Sequence, residues 1–102
     1  MNIFELPDEL PRQEITNLLL ENESVRIEQI ISAGQVSPDG FWYDQSEQEW
    51  VLLLQGTARL EFAGGNIRQL EAGEHLLIPA HVRHRVAYTS KQPPCIWLCV
   101  FY

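Results

Sequence analysis

From Ser24 onward the chain is a series of short apolar runs, cut roughly every 8 to 12 residues by turn-forming residues, which is the pattern of an antiparallel sandwich or barrel. "SVRIEQII" begins with Val25 and Ile27 on one face and Arg26 and Glu28 on the other. "AGQVSPDG" reads as a loop from its Gly and Pro content. "FWYDQ" reads as a short strand, "SEQ" as a polar turn and "EWVLLLQG" as a strand without alternation. "TARLEFA" alternates cleanly, with Ala58, Leu60 and Phe62 on one side, and Gly64-Gly65 suits a two-residue hairpin turn. "NIRQL", "HLLIP", "RHRVAYTS" and "CIWLCVFY" complete about eight predicted strands. The fold class is therefore all-β.

Residues 1–23 differ in character. In "PRQEITNLLLEN", Pro11 stands at a plausible first helical position, with Ile15, Leu18 and Leu19 on one face. The spacing predicts one short helix in this lead-in, covering an open end or edge of a single barrel domain over residues 24–102. Two predicted strands, Trp50–Leu54 and Ile96–Phe101, are apolar on both faces. A small sandwich wets its outer faces, so these residues call for another cover, and a homodimer is expected.

Composition narrows the function classes. At 102 residues, 45% hydrophobic and 21% charged, the chain suits one folded domain. A net charge of −7 argues against nucleic acid or an anionic membrane as partner, since both reward basic patches. No apolar run approaches the roughly 20 residues of a membrane span. "MNIFELPDEL" places acids where a secretory leader is basic, and the cytoplasm is the expected compartment. Cys95 and Cys99 lie four residues apart on one predicted strand, about 13 Å, too far for a disulfide. Both read as buried thiols in a reducing compartment.

Two motifs in the second half resemble those of the cupin superfamily, specifically a small single-domain cupin. In "GEHLLIPAHVRHRVAY", Gly73, Pro79 and His84 match the family pattern G-x5-P-x-G-x2-H-x3-N, with His81 in place of its second glycine and Tyr88 in place of its asparagine. Glu49 and Gly56 match the end of G-x5-H-x-H-x3–4-E-x6-G. The resemblance implies a double-stranded β-helix, or jelly-roll, cupin barrel over about residues 24–102. It also implies a divalent metal (Zn, Fe, Mn or Ni) and a small organic ligand inside that barrel.

The histidine pair of the first motif is missing. Its positions hold Tyr43 and Gln45, or Trp42 and Asp44, depending on the spacer. Glu49 and His84 supply two donors where a transition metal wants about three. Asp44, Gln45 or His81 could be the third. The same two residues equally form a metal-free buried ion pair in a polar pocket. Trp42, Tyr43, His81 and Tyr88 are candidates for the pocket wall, and Tyr43 or Tyr88 could donate a proton or hydrogen bond. Trp50 and Trp97 read as core or interface, and His75 as no ligand. Arg83 and Arg85, flanking His84, are expected to point away from it and pair with carboxylates. The expected function is binding of a divalent metal and a small molecule, with the reaction unassigned and catalysis undecided. The alternative is a metal-free small-molecule binding or sensing module, and a structural dimer with a vestigial pocket is a third reading.

Overall fold

The structure, a computed structural model, describes residues 1–102 and contains eight strands and no helix. The strands are β1 (Ile15–Glu21), β2 (Arg26–Ser32), β3 (Glu49–Gln55), β4 (Thr57–Phe62), β5 (Ile67–Glu71), β6 (His75–Ile78), β7 (His84–Thr89) and β8 (Cys95–Phe101). They form a five-stranded sheet ordered β1-β2-β8-β3-β6 and a three-stranded sheet ordered β5-β4-β7. All pairings are antiparallel, and the result is a jelly roll.

Two expectations need correction. The segment predicted as a helix is strand β1, whose register on β2 runs from Ile15 opposite Ile31 to Glu21 opposite Arg26. An isolated helix of that length is marginal in water, whereas the open edge of β2 offers a ladder of backbone partners. The apolar spacing that suggested a helix finds little burial: Ile15 is half-buried, while Leu18 and Leu19 remain 55% and 38% exposed. The other correction concerns Phe41–Gln45, which forms no strand and makes only an isolated bridge, Tyr43 opposite His84.

Between the sheets lies a core of Val51, Leu53, Ala58, Leu60, Leu70, Ile78, Cys95, Trp97, Cys99 and Phe101. Strand geometry sorts the apolar runs that show no alternation in the sequence. On β3, Glu49, Val51 and Leu53 are buried while Trp50 and Leu52 are half-buried on the other face. On β8, Trp97, Cys99 and Phe101 are buried and Leu98 and Val100 are half-buried. The five-stranded sheet thus carries a partly exposed apolar outer face, with Trp50 opposite both Val100 and Leu77, and Leu52 opposite Leu98.

Strand β2 breaks the habit of keeping charges outside. Glu28 is in register with Cys99, and Arg26 with Phe101, so both charged side chains share the inner face with Ile30. Gln29 and Ile31 occupy the outer face and are buried there. The N-terminal segment contributes to that cover, because Gln29 Nε2 donates to the Ile3 carbonyl at 2.6 Å.

Gly56 turns the chain from β3 into β4 at φ +92°. A Cβ there would stand 2.7 Å from Ser90 Oγ, 2.9 Å from Cys95 Sγ and 3.0 Å from the Cys95 Cα. Only glycine meets both the left-handed backbone and this close approach.

Candidate functional site

The inner faces of the two sheets enclose a cavity of about 220 Å³. β3 contributes Glu49 and Val51, β8 contributes Trp97, Cys99 and Phe101, and β7 contributes His84 and Val86. Leu60 and Ile78 close the apolar side. Toward solvent, Arg26, Glu28 and Ile30 of β2 join Tyr43 and Gln45 of the loop between β2 and β3, and Glu14 and Thr16 at the edge of the sheet.

Glu49 and His84 meet in the buried part of this cavity, with Nε2 to Oε1 at 3.6 Å and side-chain exposures of 6% for His84 and 11% for Glu49. That separation makes an ionic contact rather than a hydrogen bond. His84 Nδ1 lies 2.9 Å from the Val82 carbonyl. A carbonyl only accepts, so Nδ1 carries the proton and Nε2 is the nitrogen that titrates toward Glu49. Burial works against the imidazolium, but Glu49 and the Val82 carbonyl outweigh it and raise the His84 pKa above its ordinary value. The Tyr43 ring stacks on His84 at 5.3 Å between centroids, held there by the backbone bridge of the two residues. Burial, together with Glu14 and Glu49, pushes the Tyr43 phenol up, so it stands as a neutral donor. Burial and the same carboxylates push the Cys99 thiol well above its ordinary value, which keeps it protonated and unreactive.

The rim is tied down by polar contacts. Arg26 bridges Glu28 at 3.2 Å and Glu47 at 3.0 Å, linking β2 to the loop before β3, and its guanidinium covers the Phe101 ring at 4.2 Å. Trp97 Nε1 donates to Ser32 Oγ at 3.2 Å, and Ser32 in turn donates to Glu14 Oε2 at 2.8 Å.

The candidate residues separate into two groups. Glu49, His84, Tyr43 and Gln45 line the cavity. Asp44 instead pairs with His81 outside it, at 2.9 Å, both side chains about half exposed or more. Trp42 lies under the Arg83 guanidinium, with 5.5 Å to the ring centroid. Tyr88 was expected to share a face with His84, but a bulge breaks the register: Arg59 pairs with Tyr88 and Leu60 with Val86, leaving Ala87 unmatched. The extra residue turns Tyr88 outward, where Arg59 covers its ring. Arg85 pairs with Glu61 on the neighbouring strand at 3.1 Å. His75 accepts from Trp50 Nε1 at 3.3 Å on the outer face of the five-stranded sheet.

No group of three or more His, Cys, Asp or Glu side chains is arranged to hold a metal ion. With Asp44 and His81 engaged outside the cavity, Gln45 is the third donor candidate left beside Glu49 and His84, and a neutral amide oxygen is a poor partner for a divalent transition metal.

His81 stands at φ +63°, and its amide donates to the Gln45 carbonyl at 2.7 Å. The glycine of the motif at this position is thereby explained, since the turn needs a left-handed residue. His81→Gly is expected to change stability by less than about 0.5 kcal/mol, because an exposed ion pair contributes little. By contrast, β-branched His81→Val should cost about 1–2 kcal/mol, measured by urea unfolding.

Sequence reasoning missed Arg26, Glu28, Glu14 and Thr16 as cavity residues. The polar face of a strand that begins "VRIE" is ordinarily the wet one, and only the register of β2 on β8 turns it inward.

A family model described as Cupin domain matches residues 28–101. No curated protein matches the chain. Among solved structures, a protein from Ralstonia eutropha JMP134, provisionally named a mannose-6-phosphate isomerase, is similar over 99% of this chain and 94% of its own, with 43% identity and a TM-score of 0.93. A cupin superfamily protein from Desulfitobacterium hafniense DCB-2 is similar over 93% of this chain and 82% of its own, at 20% identity and a TM-score of 0.76. An RmlC-like cupin from Shewanella frigidimarina NCIMB 400 covers 91% of this chain and 78% of its own, at 18% identity and a TM-score of 0.73. The latter two support the fold alone.

Proposed function

The chain belongs to the cupin domain family, and from that premise we propose that it binds a small organic molecule in the barrel cavity without a metal, using Glu49 and His84 as its polar anchor. One observation carries this reading: a buried carboxylate and imidazole face each other across 3.6 Å in a cavity whose wall beside them is Val51, Leu60, Ile78, Val86 and Trp97. A few convergent polar groups in an apolar concavity are the usual make-up of a ligand site. Tyr43 would add a hydrogen bond from the wall. Elemental analysis of protein purified without added metal is expected to show well under one metal per chain, with no divalent ion raising the melting temperature. Stoichiometric metal, lost on Glu49→Gln or His84→Ala, would restore the metal-dependent alternative.

A second reading follows from the name given to the Ralstonia eutropha protein. Isomerisation of a sugar moves a proton between carbons, and a carboxylate paired with an imidazole is a minimal apparatus for that step. Under this reading Glu49 takes the proton from one carbon and returns it to the next, while the His84 imidazolium gives a proton to the carbonyl oxygen and recovers one from the neighbouring hydroxyl, leaving both groups as they began. Exchange of solvent deuterium into a bound sugar, abolished in Glu49→Gln, is the measurement that favours it.

We also propose a homodimer, in a cytoplasmic setting that suits two free thiols. The half-buried apolar outer face formed by Trp50, Leu52, Leu98 and Val100, with Leu77 46% exposed, supports the dimer. Light scattering should report twice the chain mass, and Leu98→Glu should reduce it to one chain while leaving the fold intact by circular dichroism.

No helix is long and apolar enough to cross a membrane.

A further inference from the structure

Carboxylates dominate the charge on the cavity wall. Glu14, Glu28 and Glu49 line it, against one permanent cation, Arg26. That guanidinium is already committed to two carboxylates, Glu28 and Glu47, at 3.2 and 3.0 Å. His84, when protonated, faces Glu49 and offsets that one charge only. The surplus is therefore negative, in a chain whose net charge is −7. A low-dielectric cleft lined by one sign of charge concentrates ligands of the other sign.

Two further observations point to where such a ligand would rest. Glu49 is only 9% exposed; its ionic partner His84 stands 3.6 Å away, beyond hydrogen-bond length, and the Cys99 thiol beside it is a neutral, weak donor. A buried carboxylate in that state gains from a cation that can approach more closely. The wall beside it is aromatic, with Trp97, Phe101 and Tyr43 lining the same space. At the mouth this combination already holds a cation, since the Arg26 guanidinium lies over Phe101 at 4.2 Å.

We propose that the cavity selects a small organic cation, a primary amine or a substituted ammonium, with its charge on Glu49 and its apolar part against Val51, Leu60 and Ile78. This rests on the small-molecule binding reading above and names the charge of its ligand. About 220 Å³ is the volume of roughly seven liquid waters, which limits the ligand to a compact molecule. A phosphorylated sugar would bring a dianion against three carboxylates and is disfavoured.

The test is titration of the isotope-labelled full chain by NMR with four probes: benzylammonium, benzyl alcohol, benzoate and mannose 6-phosphate. Benzylammonium is expected to shift the Trp97, Cys99 and His84 signals and to bind at least tenfold more tightly than benzyl alcohol. Neither anion should bind as tightly as the alcohol. Glu49→Gln is expected to remove the tenfold preference, so that benzylammonium binds no more tightly than benzyl alcohol to the variant. If that variant fails to fold, Glu28→Gln is expected to reduce the preference at least threefold. Equal or tighter binding of either anion at the same signals overturns the charge assignment and leaves the binding reading standing. Silence from all four probes at these signals overturns both.

Discussion

Substituting Gly56 with alanine is expected to lower unfolding free energy by about 3 kcal/mol. Two costs coincide at this position. The backbone sits at φ +92°, which an L-residue adopts only with strain. The added methyl would also lie within 3.0 Å of Ser90 Oγ, Cys95 Sγ and the Cys95 Cα, and the last of these is backbone that cannot rotate away. Ser90 is itself fixed, because its hydroxyl donates to the Pro93 carbonyl at 2.6 Å and accepts from the Thr57 amide at 3.0 Å. Ser90→Gly combined with Gly56→Ala should therefore recover only part of the loss. Chemical denaturation of these two variants and of Ser90→Gly alone checks this, and a Gly56→Ala protein as stable as the parent would show that the β3–β4 corner yields to the added methyl.

His84→Ala is expected to cost about 3 kcal/mol, because it leaves the Glu49 carboxylate buried without its ionic partner. In Glu49→Gln/His84→Gln both charges go together, and the loss should be well below the sum of the single losses, which is the signature of direct coupling. The pair also makes a pH prediction. The folded His84 pKa lies above its unfolded value near 6.5. Its contribution is then fully present below that unfolded value and is lost as pH rises through the higher folded value. Stability measured from pH 6 upward should decline over that interval, and the decline should be absent from His84→Gln. An unchanged profile in the variant would mean that the two groups do not interact.

The second-half architecture was legible because its turns are marked. Gly56, Gly64, Gly65 and Gly73 all sit at positive φ, where the sequence pattern puts chain reversals. The pairing of Glu49 with His84 was legible for a different reason: both occupy motif positions, and both fall on the inward phase of their strands. Tyr88 was misplaced because period-two counting assumes an unbroken ladder, and the unmatched Ala87 reverses the phase within four residues of His84. The N-terminal segment was misread because Ile15, Leu18 and Leu19 carry helix-compatible spacing but little burial, so apolarity there says nothing of period. The inward charges of β2 were invisible for want of pairing information. Arg26 and Glu28 look like a solvated face until Phe101 and Cys99 are placed opposite them.

The bulge at Ala87 divides β7 into two stretches under different constraints. Before it, His84 and Val86 answer to the cavity; after it, Tyr88 with Arg59 answers to the protein surface. A change of side chain at Tyr88 is expected to leave His84 and Val86 in place, because the register between them is reset at one unpaired residue. A surface labelled at position 88, by a fluorophore or a cross-linker, would accordingly report on neighbours of the barrel while its interior stays as it was.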